Sequence, residues 1–185
     1  MCRGESVNRQ DGRRKNGAET VVVAGGASFY DRVMTSILFV CLGNICRSPL
    51  AEGVLRYQAA AVGRSDRFVL DSAGCGGWHA GEPPDARSVA VAARFGTPID
   101  AQRARQVTEA DFSRFALILG MDRDNVRHLR RMQPEGSAAR VGLYLEEALG
   151  EARDVPDPYY GAARDFEAVY RLCEKASQGL LSKLA

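Results

Sequence analysis

The segment Cys41-Leu42-Gly43-Asn44-Ile45-Cys46-Arg47-Ser48-Pro49 concentrates the residues with chemistry to offer. A cysteine, an arginine six residues on and a serine after it could form a thiolate nucleophile in an anion cradle. Gly43 and Asn44 tolerate left-handed backbone, so successive N–H groups can turn inward as a nest. Ser48-Pro49 marks a helix start with Pro at the first helical position, and a helix N-terminus adds unpaired N–H donors and partial positive charge. The planar fork of Arg47 can grip two phosphate oxygens. In that field Cys41 is expected to ionise more readily than a free cysteine, with Ser48 donating to the thiolate. A thiolate in an oxyanion cradle is a phosphoryl-accepting nucleophile. A nucleotide-binding loop would need Gly-Lys-Ser/Thr, which is absent here. Gly74-Cys75-Gly76-Gly77 opens no helix and is no dinucleotide fingerprint.

Attack on a phosphomonoester expels an alkoxide or phenoxide that needs a proton. Asp157, in Val155-Pro156-Asp157-Pro158-Tyr159-Tyr160, is the candidate donor. Its flanking prolines stiffen the loop, and Tyr159-Tyr160 offer a hydrophobic wall that would favour a protonated carboxyl.

These segments must be held by a scaffold. Ile37–Val40 is a continuous apolar run, as in a strand buried on both faces. The next element is a helix to Val62 with Leu50, Val54, Leu55 and Ala59 on one face, ended by Gly63. Phe68–Leu70 reads as a second strand, and Pro83-Pro84-Asp85 opens a helix running to about Arg94. Ala116–Leu119 is a third strand, and Asp122 caps a helix to Met132. Val141–Leu145 is the fourth strand, and a last helix over about 165–184 turns Phe166, Val169, Tyr170, Cys173 and Leu180 inward. Such alternation predicts a doubly wound α/β fold: a parallel sheet with helices on both faces, and sites beyond the strands' C-terminal ends.

Composition narrows the class. The 185 residues carry 25 Lys+Arg against 23 Asp+Glu, a net charge of +2 that does not point to nucleic acid. No apolar run approaches the roughly 20 residues of a spanning helix. Five cysteines at irregular spacing, without a CxxC pair, and two histidines argue against a disulfide framework and a structural zinc site. The expectation is therefore a reduced, cytoplasmic protein without metal or other cofactor. Residues 1–33 hold six basic and four acidic residues and no periodicity, so they are expected to be a disordered extension. The alternative is that Met34 is the natural start. An export signal is disfavoured, since Glu19 interrupts its apolar stretch.

Several blocks together resemble the low-molecular-weight protein tyrosine phosphatases of bacterial type: Ile37–Ser48, Asp71–Asp85, Arg103–Asp111, Gly120-Met121-Asp122 and Asp157–Gly161. The resemblance implies a four-stranded parallel sheet over residues 34–185 and metal-independent hydrolysis of phosphotyrosine through a phosphocysteine. By matching positions it implies Cys41 as nucleophile, Arg47 on the phosphoryl oxygens, and Asp157 as general acid and then base. Ser48 would stabilise the departing thiolate, and Asn44 with Ser48 and Ser72 would hold the loop, whose other members are Leu42, Gly43, Ile45 and Cys46. Leu42, Ile45, Trp78, Tyr159 and Tyr160 would line a slot for the phenyl ring. Cys46 would form a reversible disulfide with Cys41, consistent with the oxidation expected of a reactive thiolate. Two departures stand out. Phe95 takes the place of a His that braces the loop Asn, which puts that brace in question, and Cys75 adds a thiol near the slot. His79 is expected to be exposed, and His128 solvated on a basic helix with Arg123, Arg127, Arg130 and Arg131. Cys173 is expected in the core.

The implied partners are tyrosine-phosphorylated proteins, with a cognate tyrosine kinase as a further candidate, and the implied state is a monomer or weak dimer without nucleic acid or membrane. Three other activities compete. Arsenate reduction would need further cysteines, and residues 76–172 contain none. Relatives with a phosphoarginine preference carry a small Thr at the position of Ile45, and Ile there favours an aromatic substrate. A phosphocysteine carrier must not hydrolyse its intermediate, against which Arg47 and Asp157 argue together.

Overall fold

The computed structural model describes Met1 and residues 34–184. The extension expected over 1–33, Met1 apart, therefore lies outside the described residues.

Strand β1 (Thr35–Cys41) is central, flanked by β2 (Phe68–Gly74) and β3 (Leu117–Gly120), with β4 (Arg140–Leu143) beyond β3. All pairings are parallel, and the register sets Cys41 against Gly74 and Val40 against Gly120. The run Ile37–Val40 is fully buried because both faces of the sheet are covered. Ile37, Phe39 and Cys41 point to one core, with Leu119 and residues of α1 (Arg47–Ala61), α5 (Tyr144–Leu149) and α6 (Ala163–Lys183). Leu38 and Val40 point to the other, with Ile118, Phe112 of α3 (Asp111–Arg114) and Leu129 of α4 (Arg123–Met132). Strand alternation thus puts the Cys41 side chain on the α1 face.

Leu50, Val54, Leu55 and Ala59 form the buried stripe of α1, and Gly63 closes it at φ +68. The helix begins at Arg47 rather than at Pro49. Pro49 still lies in the first turn, where its missing N–H has no intrahelical acceptor to lose. α2 (Ala86–Arg94) starts from the N-cap Asp85, whose carboxylate accepts the Arg87 N–H, and α4 from Asp122, which accepts that of Asn125.

The expected fourth strand is too long. It ends at Leu143, and Tyr144 and Leu145 open α5. Leu143, Tyr144 and Leu145 are all buried, so one apolar run crosses from strand to helix without marking the boundary. β2 continues beyond Leu70 through polar residues, since Asp71 and Ser72 carry hydrogen bonds toward the site.

Candidate active site

The chain leaves β1 at Cys41, turns through residues 42–46 and enters α1 at Arg47. Asn44 has φ +58, the left-handed conformation expected there. The turn brings Ser48 back over the thiol: Cys41 Sγ lies 3.0 Å from Ser48 Oγ and accepts the Asn44 N–H at 3.2 Å. Cys41 is buried at the floor of a cleft of about 240 Å³. Leu42, Ile45, Cys46, Trp78, Tyr159 and Tyr160 line it with Arg47 and Asp157. The slot residues suggested by the sequence are therefore gathered in one place. The Tyr159 and Tyr160 rings meet edge to face at 4.9 Å, Tyr160 standing almost free at the rim.

Asn44 is the hub of the loop. Its Nδ2 donates to Ser48 Oγ and Ser72 Oγ, both at 3.0 Å, and its Oδ1 accepts the Arg105 N–H at 2.9 Å. Ser72 Oγ donates onward to buried Glu52 at 2.8 Å, and Arg56 donates to the other Glu52 oxygen at 2.7 Å. Burial pushes the Glu52 carboxyl above the usual range, against these two hydrogen bonds. The loop brace is complete, so the doubt raised by Phe95 is corrected. That ring instead stacks on Tyr170 at 4.7 Å, with the Arg171 guanidinium 3.9 Å away.

Arg47 is almost fully buried. Nη1 donates to Asp122 at 2.7 Å and to the Val155 carbonyl at 3.3 Å, and Nη2 donates to Asp157 at 2.8 Å. Burial works against the guanidinium charge, but Cys41, Asp157 and Asp122 around it hold its pKa above the ordinary value. Asp157 is not enclosed by the tyrosines as expected. Its side chain is 46% exposed, bound to Arg47 and to the Tyr159 N–H at 3.1 Å.

Burial pushes the Cys46 thiol up to about 12, with Asp85, Cys41 and Asp157 adding to the effect. Cys41, Cys46, Cys75 and Cys173 are free and buried. Cys75 does not face the slot. It packs in the core that holds Leu38 and Val40, 3.7 Å from Asn125 Nδ2, and burial pushes it to about 12. Cys173 lies in the core as expected.

Two histidine expectations are corrected. His79 is half-buried in the cleft wall, its Nδ1 2.6 Å from Glu82. His128 is half-buried, its Nε2 enclosed without a hydrogen-bond partner. Three residues beside the site escaped the sequence reading. Asp122 was legible only as a helix cap, yet it follows β3, where sites collect in such sheets. Glu52 drew no attention in the sequence, although a carboxylate four residues after Ser48 inside an apolar helical stretch is a signal that could have found it. Arg105, whose N–H is held by Asn44, spans Asp71 and Asp111, and nothing local signals either pairing. Among the described residues, no three His, Cys, Asp or Glu are grouped as metal ligands.

A thiol with an adjacent hydroxyl, a buried guanidinium, a carboxylate within reach and an aromatic slot define a cysteine-dependent phosphohydrolase of the α/β class. The profile of the low molecular weight phosphotyrosine protein phosphatases matches residues 36–185. A low molecular weight protein-tyrosine-phosphatase of Streptomyces coelicolor is 45% identical, the match covering 79% of this chain and 91% of the relative. The crystal structure of YfkJ from Bacillus subtilis superposes with a TM-score of 0.74 at 41% identity, over 81% of this chain and 94% of that one. A protein tyrosine phosphatase from Entamoeba histolytica superposes with a TM-score of 0.76 at 35% identity, over 81% and 96%. The chain belongs to the low molecular weight phosphotyrosine protein phosphatase family.

Proposed function

We propose that residues 34–185 form a phosphatase domain that hydrolyses phosphotyrosine in proteins in two steps on Cys41. The observation that carries this reading is the position of Cys41 Sγ, at the floor of an aromatic cleft and bonded by Ser48 Oγ and the Asn44 N–H. The phenyl ring enters past Trp78 and Tyr159, and the phosphate settles in the turn 41–48. It takes over the Arg47 Nη2 donor that is bonded to Asp157. Cys41 Sγ attacks phosphorus, the P–O bond to the phenol breaks, and Asp157 gives its proton to the departing oxygen. Water then attacks the phosphocysteine while Asp157 takes back a proton. The S–P bond breaks, and Ser48 donates to the thiolate that leaves. Asn44 and Ser72 hold the loop in the shape both steps use.

The aromatic lining of the cleft around a buried thiol favours an aryl phosphate, whose ring can pack on Trp78 and Tyr159. The likeness to enzymes named phosphotyrosine phosphatases in Streptomyces coelicolor and Sus scrofa supports the same substrate. A cognate tyrosine kinase would supply it, and a monomer or weak dimer suffices because one chain provides the whole cleft. The four free thiols among the described residues fit a reducing, cytoplasmic setting. No described helix is long and apolar enough to cross a membrane.

The test is hydrolysis by the full chain of phosphotyrosine peptide, phosphoserine peptide and phosphoarginine without added metal, beside Cys41→Ser. Release from phosphotyrosine alone, abolished in the variant and blocked by vanadate, is expected. No release from a folded protein, or release that survives Cys41→Ser, refutes the proposal.

A further inference from the structure

Arg87, in the first turn of α2, touches neither the thiol nor the phosphate turn, yet it bridges both sides of the cleft. Its Nε and Nη2 grip the two oxygens of Asp85 at 2.9 and 2.8 Å. Its Nη1 donates to the Gly161 carbonyl at 3.3 Å, and its guanidinium carbon lies 5.8 Å from the Tyr159 ring centroid and 4.3 Å from that of Phe166 on α6. Asp85 in turn donates its N–H to the Ile45 carbonyl at 2.8 Å, inside the turn that carries Cys41. One chain of contacts thus runs from the nucleophile's turn through Asp85 and Arg87 to the segment bearing Asp157 and Tyr159. The two-point grip of Asp85 fixes the plane of the guanidinium, which a single-point lysine contact would not do. The Arg87 hydrogen bonds hold the Asp85 carboxyl below the usual carboxylate range, so the pair stays ionised through neutral pH.

This bridge matters most when substrate is bound. Arg47 Nη2 donates to Asp157 at 2.8 Å. Once phosphate occupies Arg47, the Arg87 contacts at Tyr159 and Gly161 still tie the segment to α2, between the Val155 N–H on the Met121 carbonyl on one side and the Ala162 N–H on Asp165 on the other.

We infer that Arg87 is a positioning residue for proton delivery: braced by Asp85, it holds the Asp157–Gly161 segment at its working distance from the Cys41 turn. The inference rests on the reading of Asp157 as general acid. The test compares kcat/KM of the full chain, Arg87→Met and Arg87→Lys on phosphotyrosine, a poor leaving group, and on p-nitrophenyl phosphate, whose phenolate leaves with little help. Arg87→Met should lose about tenfold on phosphotyrosine, a fraction of what general acid catalysis supplies, and much less on p-nitrophenyl phosphate. Arg87→Lys, which keeps the charge near the ring but not the fork, should fall between. In an Asp157→Asn background Arg87→Met should cost little more. Equal losses on both substrates, an undiminished loss in the Asp157→Asn background, or no loss at all would overturn the inference. Asp157→Asn with undiminished rates on both substrates would remove the acid reading itself, and the inference with it, without any change at Arg87.

Discussion

Replacing Asn44 by Ala tests whether one side chain holds the nucleophile's turn. The change removes three hydrogen bonds, two donated to Ser48 and Ser72 and one accepted from the Arg105 N–H. At about 1 kcal/mol net for each, the loss is about 3 kcal/mol. Asn44 also sits at φ +58, where alanine lacks the local hydrogen bonding that makes asparagine tolerable, adding about 1 kcal/mol. The sum, about 4 kcal/mol, is a large share of the roughly 5–15 kcal/mol that stabilises a typical domain. For a protein of this size it corresponds to a fall in Tm of about 8–16 °C. Thermal and urea unfolding measure it, with kcat/KM on phosphotyrosine alongside, which should fall at least tenfold because Ser48 and the Asn44 N–H lose their alignment on Cys41 Sγ. Asn44→Gly separates the two contributions. Glycine removes the strain but adds a similar entropy to the unfolded chain, so it should unfold within about 1 kcal/mol of the alanine variant. An alanine variant that melts within about 3 °C of the parent would refute the assignment of these bonds as the brace. A glycine variant that restores most of the loss would show that backbone strain, not hydrogen bonding, governs the turn.

Other perturbations follow from the same geometry. A Cβ on Gly76 would lie 1.7–2.4 Å from the Trp78 ring, so Gly76→Ala should expel the indole from the slot, raising KM for phosphotyrosine several-fold with little change in unfolding; an unchanged KM would mean that Trp78 does not grip the substrate. Asp122→Ala takes one carboxylate from buried Arg47 and the cap from α4; the urea midpoint should report a loss of about 2–3 kcal/mol, and a parent-like midpoint contradicts this. Cys46, Cys75 and Cys173 are pushed from 9.0 up to about 12, chiefly by burial. Because the folded state holds these protons more tightly, their contribution is complete below pH 9 and declines as pH rises toward 12; urea unfolding of the parent and of Cys173→Ala at pH 7, 9 and 10.5 should show the parent losing more above pH 9.

What could be read from the sequence divides along a physical line. The turn 41–48 was legible because its parts are consecutive: the glycine, the asparagine at positive φ and the arginine of the first helical turn act on neighbours within a few residues. Strands and long helices were legible where burial imposes a period, and failed at Leu143–Leu145, where strand and helix are buried alike. Asp122, Arg105, Glu52 and Arg87 were not legible as site residues, because the contacts that tie them to the site, with Arg47, Asn44, Ser72 and Gly161 in turn, reach across 20 to 75 residues. Arg47 reaches Asp122 across 75 residues and Asp157 across 110. Even so, Glu52 carries a mark that sequence alone could have raised. It stands inside the buried face of α1, between Ala51 and Val54, where a carboxylate is costly unless it is paired. Ser72 and Arg56 supply the pairing. The cost is tolerated because Glu52 fixes the hydroxyl of Ser72, which orients Asn44, which in turn aligns Ser48 on the thiol. A charged residue out of pattern on a core helix beginning at an anion-binding turn is therefore better read as a support of that turn than as a surface residue misplaced.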